Sequence, residues 1–229
     1  MLSKVVGFLF VLLLVAGVPA LSFATSRRSQ IRLLPRPALY FSAVMSQWVL
    51  AALGLFVVLA TSPGFRAMGF RSVSLSSFLR WTALLTLISL AGLGLFLFLE
   101  RRGWWPAESE LVHLLIPTTR LEKVWSALLV APTAALCEEF LYRGYLLNQL
   151  SQWFQSPPWG WGLSSLAFGL AHVYQGSGGM LRSAALGALL GLPVVNLGSV
   201  YPSMATHFLI DAVALVWLGP KVLRQEPRP

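Results

Sequence analysis

The sequence is short of the residues from which soluble proteins make their surfaces. Only 11% of its 229 residues are charged, and Asp and Glu together number 8. That charged share is far below the usual value for soluble domains. A single cysteine, Cys137, excludes an internal disulfide and any Cys-rich metal cage. Next to Glu138 it reads as a small buried hydrophobe and not as an activated nucleophile. No long internal repeat or low-complexity tract is visible.

What fills the chain instead is apolar. Hydrophobic residues make up 56% of it and the mean hydropathy is +0.71, the profile of an integral membrane protein. The length fits one all-α polytopic bundle of about seven transmembrane spans of roughly 20 residues each, with an interfacial amphipathic helix and no room for a second soluble domain. The net charge of +9 raises the question of nucleic acid. The basic residues, however, stand in short clusters beside apolar runs, as the positive-inside rule places them, so the partner they imply is the lipid bilayer and no nucleic acid is expected.

In chain order, Leu2 to Phe23 is an apolar run read as a first span, with a signal peptide as the alternative. Arg27, Arg28, Arg32 and Arg36 form a basic connection, and spans are expected over about 39–60 and 81–99, the first closed by Thr61-Ser62-Pro63-Gly64. Between Trp104 and Lys123 charged residues mix with leucines, which predicts an interfacial amphipathic helix in which His113 is a solvated or interfacial residue. Further spans are expected over about 124–149, 159–174, 181–195 and 201–218. The sixth is rich in small residues (Ala184, Ala185, Gly187, Ala188, Gly191) that permit close helix packing. This divides the chain into N-terminal spans and interfacial segment (1–123), a helical core (124–218) and a basic tail (219–229) with Lys221, Arg224 and Arg228. Seven crossings bring most basic residues and the C-terminus to one face, which is then the cytoplasmic side of a cell membrane.

Against this background Glu138, Glu139 and Arg143 are conspicuous, because a charge facing lipid costs several kcal/mol. Positions four apart share a helix face, so Glu139 and Arg143 can pair, and His207 and Asp211 can point into one cavity. Glu138, turned about 100° from Glu139 on an ideal helix, is then left to face that cavity unpaired. A carboxylate with few partners in a low-dielectric cavity is a stronger base than one in water, which suits a general base acting on water, with His172 beside it to share the proton. His207 with an acceptor four residues on can donate to an oxyanion. The same atoms also allow metal binding: Glu138, His172, His207 and Asp211 are competent ligands for Zn²⁺, which would activate bound water.

Glu138-Glu139-x-x-x-Arg143, then Phe168-x-x-x-His172, then His207-x-x-x-Asp211 resemble, in order and spacing, the three motifs of the CPBP family, the CAAX proteases and bacteriocin-processing enzymes also called Abi proteins. The resemblance covers about residues 124–218 and includes the approach Tyr201-Pro202-x-x-x-x-His207. It implies a multi-pass intramembrane endopeptidase acting on a membrane protein or a peptide, lipid-modified or not. Glu138 and His172 would activate water, His207 and residue 211 would stabilise the oxyanion, and Glu139, Arg143 and Phe168 would support the site. The family often has asparagine where this chain has Asp211, and an ionised aspartate cannot donate a hydrogen bond. A catalytically inactive member serving as a membrane scaffold or bacteriocin-immunity protein is the alternative function.

Overall fold

A computed structural model describes residues 2–61 and 64–219. The expected basic tail with Lys221, Arg224 and Arg228, and Ser62-Pro63 of the expected turn, lie outside the described residues. The described chain is helical without a strand. Six helices are long and apolar enough to cross a membrane: α1 (Leu2–Ser26), α2 (Arg36–Thr61), α3 (Leu75–Arg101), α5 (Arg120–Trp153), α7 (Val173–Leu197, whose α-helical part begins at Gly176) and α8 (Tyr201–Leu218). The short interfacial α4 (Glu110–Leu115) and the 15-residue α6 (Pro157–Ala171) complete the set. At 1.5 Å per residue α6 is about 22 Å long, short of the ~30 Å hydrocarbon core. The expected seven spans are therefore six of full length and one shorter helix packed among them.

The ends of these helices follow from local chemistry. The boundary of α5 lies earlier than the expected 124, because Thr119 and Glu122 form a reciprocal capping box that starts the helix at Arg120. The interfacial helix is correspondingly shorter than expected, six residues between Pro106 and Pro117, which cannot continue a helix across them. The α7 helix stops at Gly198, whose φ of 65° gives the left-handed cap and whose N–H returns to Val194 O, and Pro202 then opens α8. Within α5 the backbone widens to π geometry twice, at Ser126–Val130 and at Glu139–Leu146. The first widening precedes Pro132, which has no N–H for an α-helical bond. In the second, Asn148 donates from its side chain to the carbonyls of Arg143 and Gly144.

The core is built where α1, α2, α5 and α6 meet, from Phe10, Leu14, Val58, Leu141, Tyr145, Leu146 and Phe168 among others. Tyr145 also donates its hydroxyl to Gly7 O, tying α5 to α1. Large apolar side chains such as Phe41, Phe56, Leu87 and Leu128 stay exposed on the outside, as a lipid solvent allows. At one end, Arg36 donates to Ile116 O, Arg32 pairs with Glu110, and Arg182 pairs with Glu108, so the basic connection, the interfacial segment and the start of α7 share a face. Ser109 of that segment donates to Tyr174 O and holds the turn that follows α6.

The small residues of α7 work as expected. Trp161 of α6 donates to Ala188 O, and Gly187 packs on Ser165 and Phe168. At Gly169 a Cβ would stand 2.6 Å from Ala184 Cβ and 2.8 Å from Met180 O, so α6 and α7 touch backbone to backbone. Gly169→Val is expected to lower the thermal unfolding midpoint of the detergent-solubilised protein, by overpacking worth roughly 1–3 kcal/mol. Gly92→Ala, where a Cβ meets nothing within 4 Å, should be neutral or slightly stabilising.

Candidate active site

The site begins with Glu139. It is fully buried, and its Oε1 accepts from Arg143 Nη1 at 2.9 Å and from His207 Nδ1 at 2.8 Å. Arg143 is itself 1% exposed, and its guanidinium lies over the Phe168 ring, 4.1 Å from the centroid. One carboxyl thus joins α5 to α8, and its arginine joins α5 to α6 through a cation–π contact. The expected Glu139–Arg143 pair is present. That Glu139 also holds His207 is an addition the spacing within single helices does not reveal.

Both imidazoles of this cluster are fixed through Nδ1. His207 donates there to Glu139, because a carboxylate offers only acceptors. His172 follows directly on the end of α6, where Phe168 O is one of the last four carbonyls without an intrahelical partner; His172 Nδ1 takes it at 2.8 Å. The His172 ring also lies 4.5 Å from the Phe168 ring, so Phe168 sits between Arg143 and His172 as a buried wedge. In each imidazole Nε2 is left to face Glu138.

Glu138 is the partly open member of the pair. Its Oε2 lies 3.9 Å from His172 Nε2 and 3.9 Å from His207 Nε2, too far for a direct hydrogen bond and a distance that one water can bridge. Asp211 Oδ2 lies 3.5 Å from His207 Nε2, with a quarter of the Asp211 side chain exposed. Glu138 Oε1 accepts from Gln47 Nε2 at 2.7 Å. Gln47, on α2, is the residue that sequence reasoning missed; a polar amide in the middle of an apolar span was the available signal. Glu138, Glu139, Arg143, Phe168, His172, His207 and Asp211 all meet in this one place. His113, on α4 at the interface, is part of a different region.

Residues 120–213 match the family model of the Rce1-like type II CAAX prenyl endopeptidases. This match is consistent with a CPBP/CAAX protease family. No curated protein and no solved structure matches the chain. The matched segment contains every motif residue of the site, and the match together with the apolar helices supports a membrane-protease kind of function for a multi-pass membrane protein. Gln47 lies outside the segment.

Glu138, His172, His207 and Asp211 offer the oxygen and nitrogen donors that zinc takes. A tetrahedral zinc with ligands at about 2.1 Å holds them about 3.4 Å apart, whereas Glu138 Oε2 stands 3.9 Å from both Nε2 atoms. Among the described residues no three His, Cys, Asp or Glu side chains are grouped to hold a metal ion. Asp211 Oδ2 and His207 Nε2 stand 3.5 Å apart, close to the tetrahedral spacing, and the two Glu138 distances are about half an ångström wider; Glu138, His172, His207 and Asp211 are the side chains that would hold a zinc ion, which would activate bound water.

Breaking a buried ion pair leaves an uncompensated charge, which costs roughly 3–5 kcal/mol. Arg143→Met is therefore expected to destabilise the protein strongly in thermal or denaturant unfolding. Adding Glu139→Gln in the same chain should restore part of the loss. Additive losses in the double variant would contradict the pairing.

Proposed function

We propose that the chain is an intramembrane endopeptidase that cleaves a membrane-associated or lipid-modified protein or peptide with water activated by Glu138 and His172. The observation that carries this reading is the convergence of two Nε2 atoms, each on a ring anchored at Nδ1, on the same oxygen of Glu138. A water between Glu138 Oε2 and His172 Nε2 gives its proton to the carboxylate as its oxygen attacks the scissile carbonyl. The proton then passes from Glu138 to the leaving amine.

His207 is the group placed to meet the oxyanion. A carboxylate stands at each of its nitrogens, Glu139 at Nδ1 and Asp211 near Nε2, and this supports the doubly protonated ring, the form that can donate from Nε2. Asp211, ionised, orients that ring and does not itself donate. The seam between α2 and α5 carries an apolar groove of about 260 Å³ lined by Trp48, Ala51, Ala52, Leu55, Leu136, Cys137 and Phe140. It flanks Gln47 and Glu138 in sequence, and it suits a substrate with an apolar chain.

The end of the bundle that gathers Arg32, Arg36 and Arg182 is inferred to face the cytoplasm, with the C-terminus on the same side. The competing uses of the site are zinc chemistry by the same four side chains and an inactive scaffold of the same fold.

Comparative mapping of protein termini in membranes tests the reading. Glu138→Ala and His172→Ala are each expected to leave uncleaved termini that the wild-type chain removes, at unchanged abundance of the protease. Full processing by both variants would rule out proteolysis at this site and favour the scaffold. For the chemistry, the expected result is processing by purified protein shown by elemental analysis to be metal-free. Activity that disappears with the metal and returns with added Zn²⁺ would overturn direct glutamate chemistry.

A further inference from the structure

Glu138 is held from a helix outside the family-matched segment. Gln47 of α2 donates to Glu138 Oε1 at 2.7 Å, and the neighbouring Trp48 donates its indole N–H to Thr133 Oγ1 at 3.1 Å. Two consecutive residues of α2 thus bond α5. The Gln47 amide presents its NH₂ to the carboxylate, which when ionised has only acceptors to offer. Its own Oε1 is then buried and accepts no hydrogen bond.

Joining the two helices does not account for a glutamine at this position. The Trp48–Thr133 bond already joins them, and the surrounding seam is apolar, with Ala51 and Leu55 on one side and Leu136 and Phe140 on the other. A buried acceptor without a partner is destabilising, so the amide is kept here at a cost to its own oxygen. What the amide does provide is a donor on one particular oxygen of Glu138.

We propose that Gln47 is a positioning residue for Glu138: it occupies Oε1 and fixes the carboxyl plane, so that Oε2 is the oxygen directed at His172 and His207. This rests on the reading of Glu138 as the base that activates water. Without the Gln47 donor the carboxyl group is free to rotate about its last side-chain bond, and neither oxygen is held at the 3.9 Å meeting point with both Nε2 atoms. The N-terminal half of the chain thereby supplies part of the site, and a fragment limited to residues 120–213 lacks it.

The test uses the full chain in lipid nanodiscs and the infrared carboxylate band assigned to Glu138 by its loss in Glu138→Gln. Gln47→Met, which keeps the length and removes the donor, is expected to shift that band. Trp48→Phe, which breaks the adjacent inter-helix bond and leaves Gln47 in place, should not shift it. In membranes Gln47→Met should slow terminus processing by about ten- to a hundredfold, the scale of a misplaced reacting group, at unchanged protein abundance. An unshifted band in Gln47→Met, or an equal shift in Trp48→Phe, overturns the proposal, the second outcome assigning the effect to helix packing. A band shifted by Gln47→Met alone, together with processing that does not depend on Glu138, supports the contact and refutes the proteolytic reading instead.

Discussion

One oxygen atom, Glu139 Oε1, carries the arrangement of the site. It accepts from Arg143 and His207 at 2.9 and 2.8 Å in a place with no exposure at all. Charge-assisted bonds in such surroundings are strong, and a member left alone there is costly. The three groups therefore hold together or fail together. The remaining polar atoms, Glu139 Oε2 and Arg143 Nη2, are buried without hydrogen-bond partners. That is more consistent with a structure that fixes geometry than with one that maximises stability.

The consequence is a division between adjacent glutamates. Glu139 is consumed by its two donors and turns His207 so that Nε2 faces outward. Glu138 keeps one oxygen under Gln47 and offers the other to both imidazoles. The short α6 matters here because it ends where it does. Its last carbonyls need partners, His172 serves one of them, and a helix of full span length would carry that residue past the site. Ser109, by bonding Tyr174 O, holds the turn just beyond. The site lies roughly 22 Å along α5 from its end at Trp153, toward the end of the bundle that carries the interfacial segment.

Much of this was legible in the sequence because charge in an apolar span has few explanations. Glu138, Glu139 and Arg143 stood out by cost alone, the i, i+4 spacings gave the Glu139–Arg143 and His207–Asp211 pairs, and the small residues of α7 marked a close helix contact. What remained hidden depends on relations between helices. Nothing in the spacing along α5 or α8 says that Glu139 reaches His207, sixty-eight residues away. Gln47 was hidden for a similar reason, since its meaning comes only from the side chain it meets across the α2–α5 seam. The early start of α5 was visible in Thr119-x-x-Glu122, whereas the second π widening, at Glu139–Leu146, has no proline to announce it.

The most direct test of the account compares two isosteric changes one residue apart, Glu138→Gln and Glu139→Gln, by thermal unfolding of the purified chain alongside terminus processing in membranes. The account predicts a split. Glu138→Gln should abolish processing with little change in the unfolding midpoint, and Glu139→Gln should lower the midpoint clearly because Arg143 is left buried without its counter-charge. Equal midpoints for the two variants, or processing that survives Glu138→Gln, would contradict the division of the pair into a reactive and a structural glutamate.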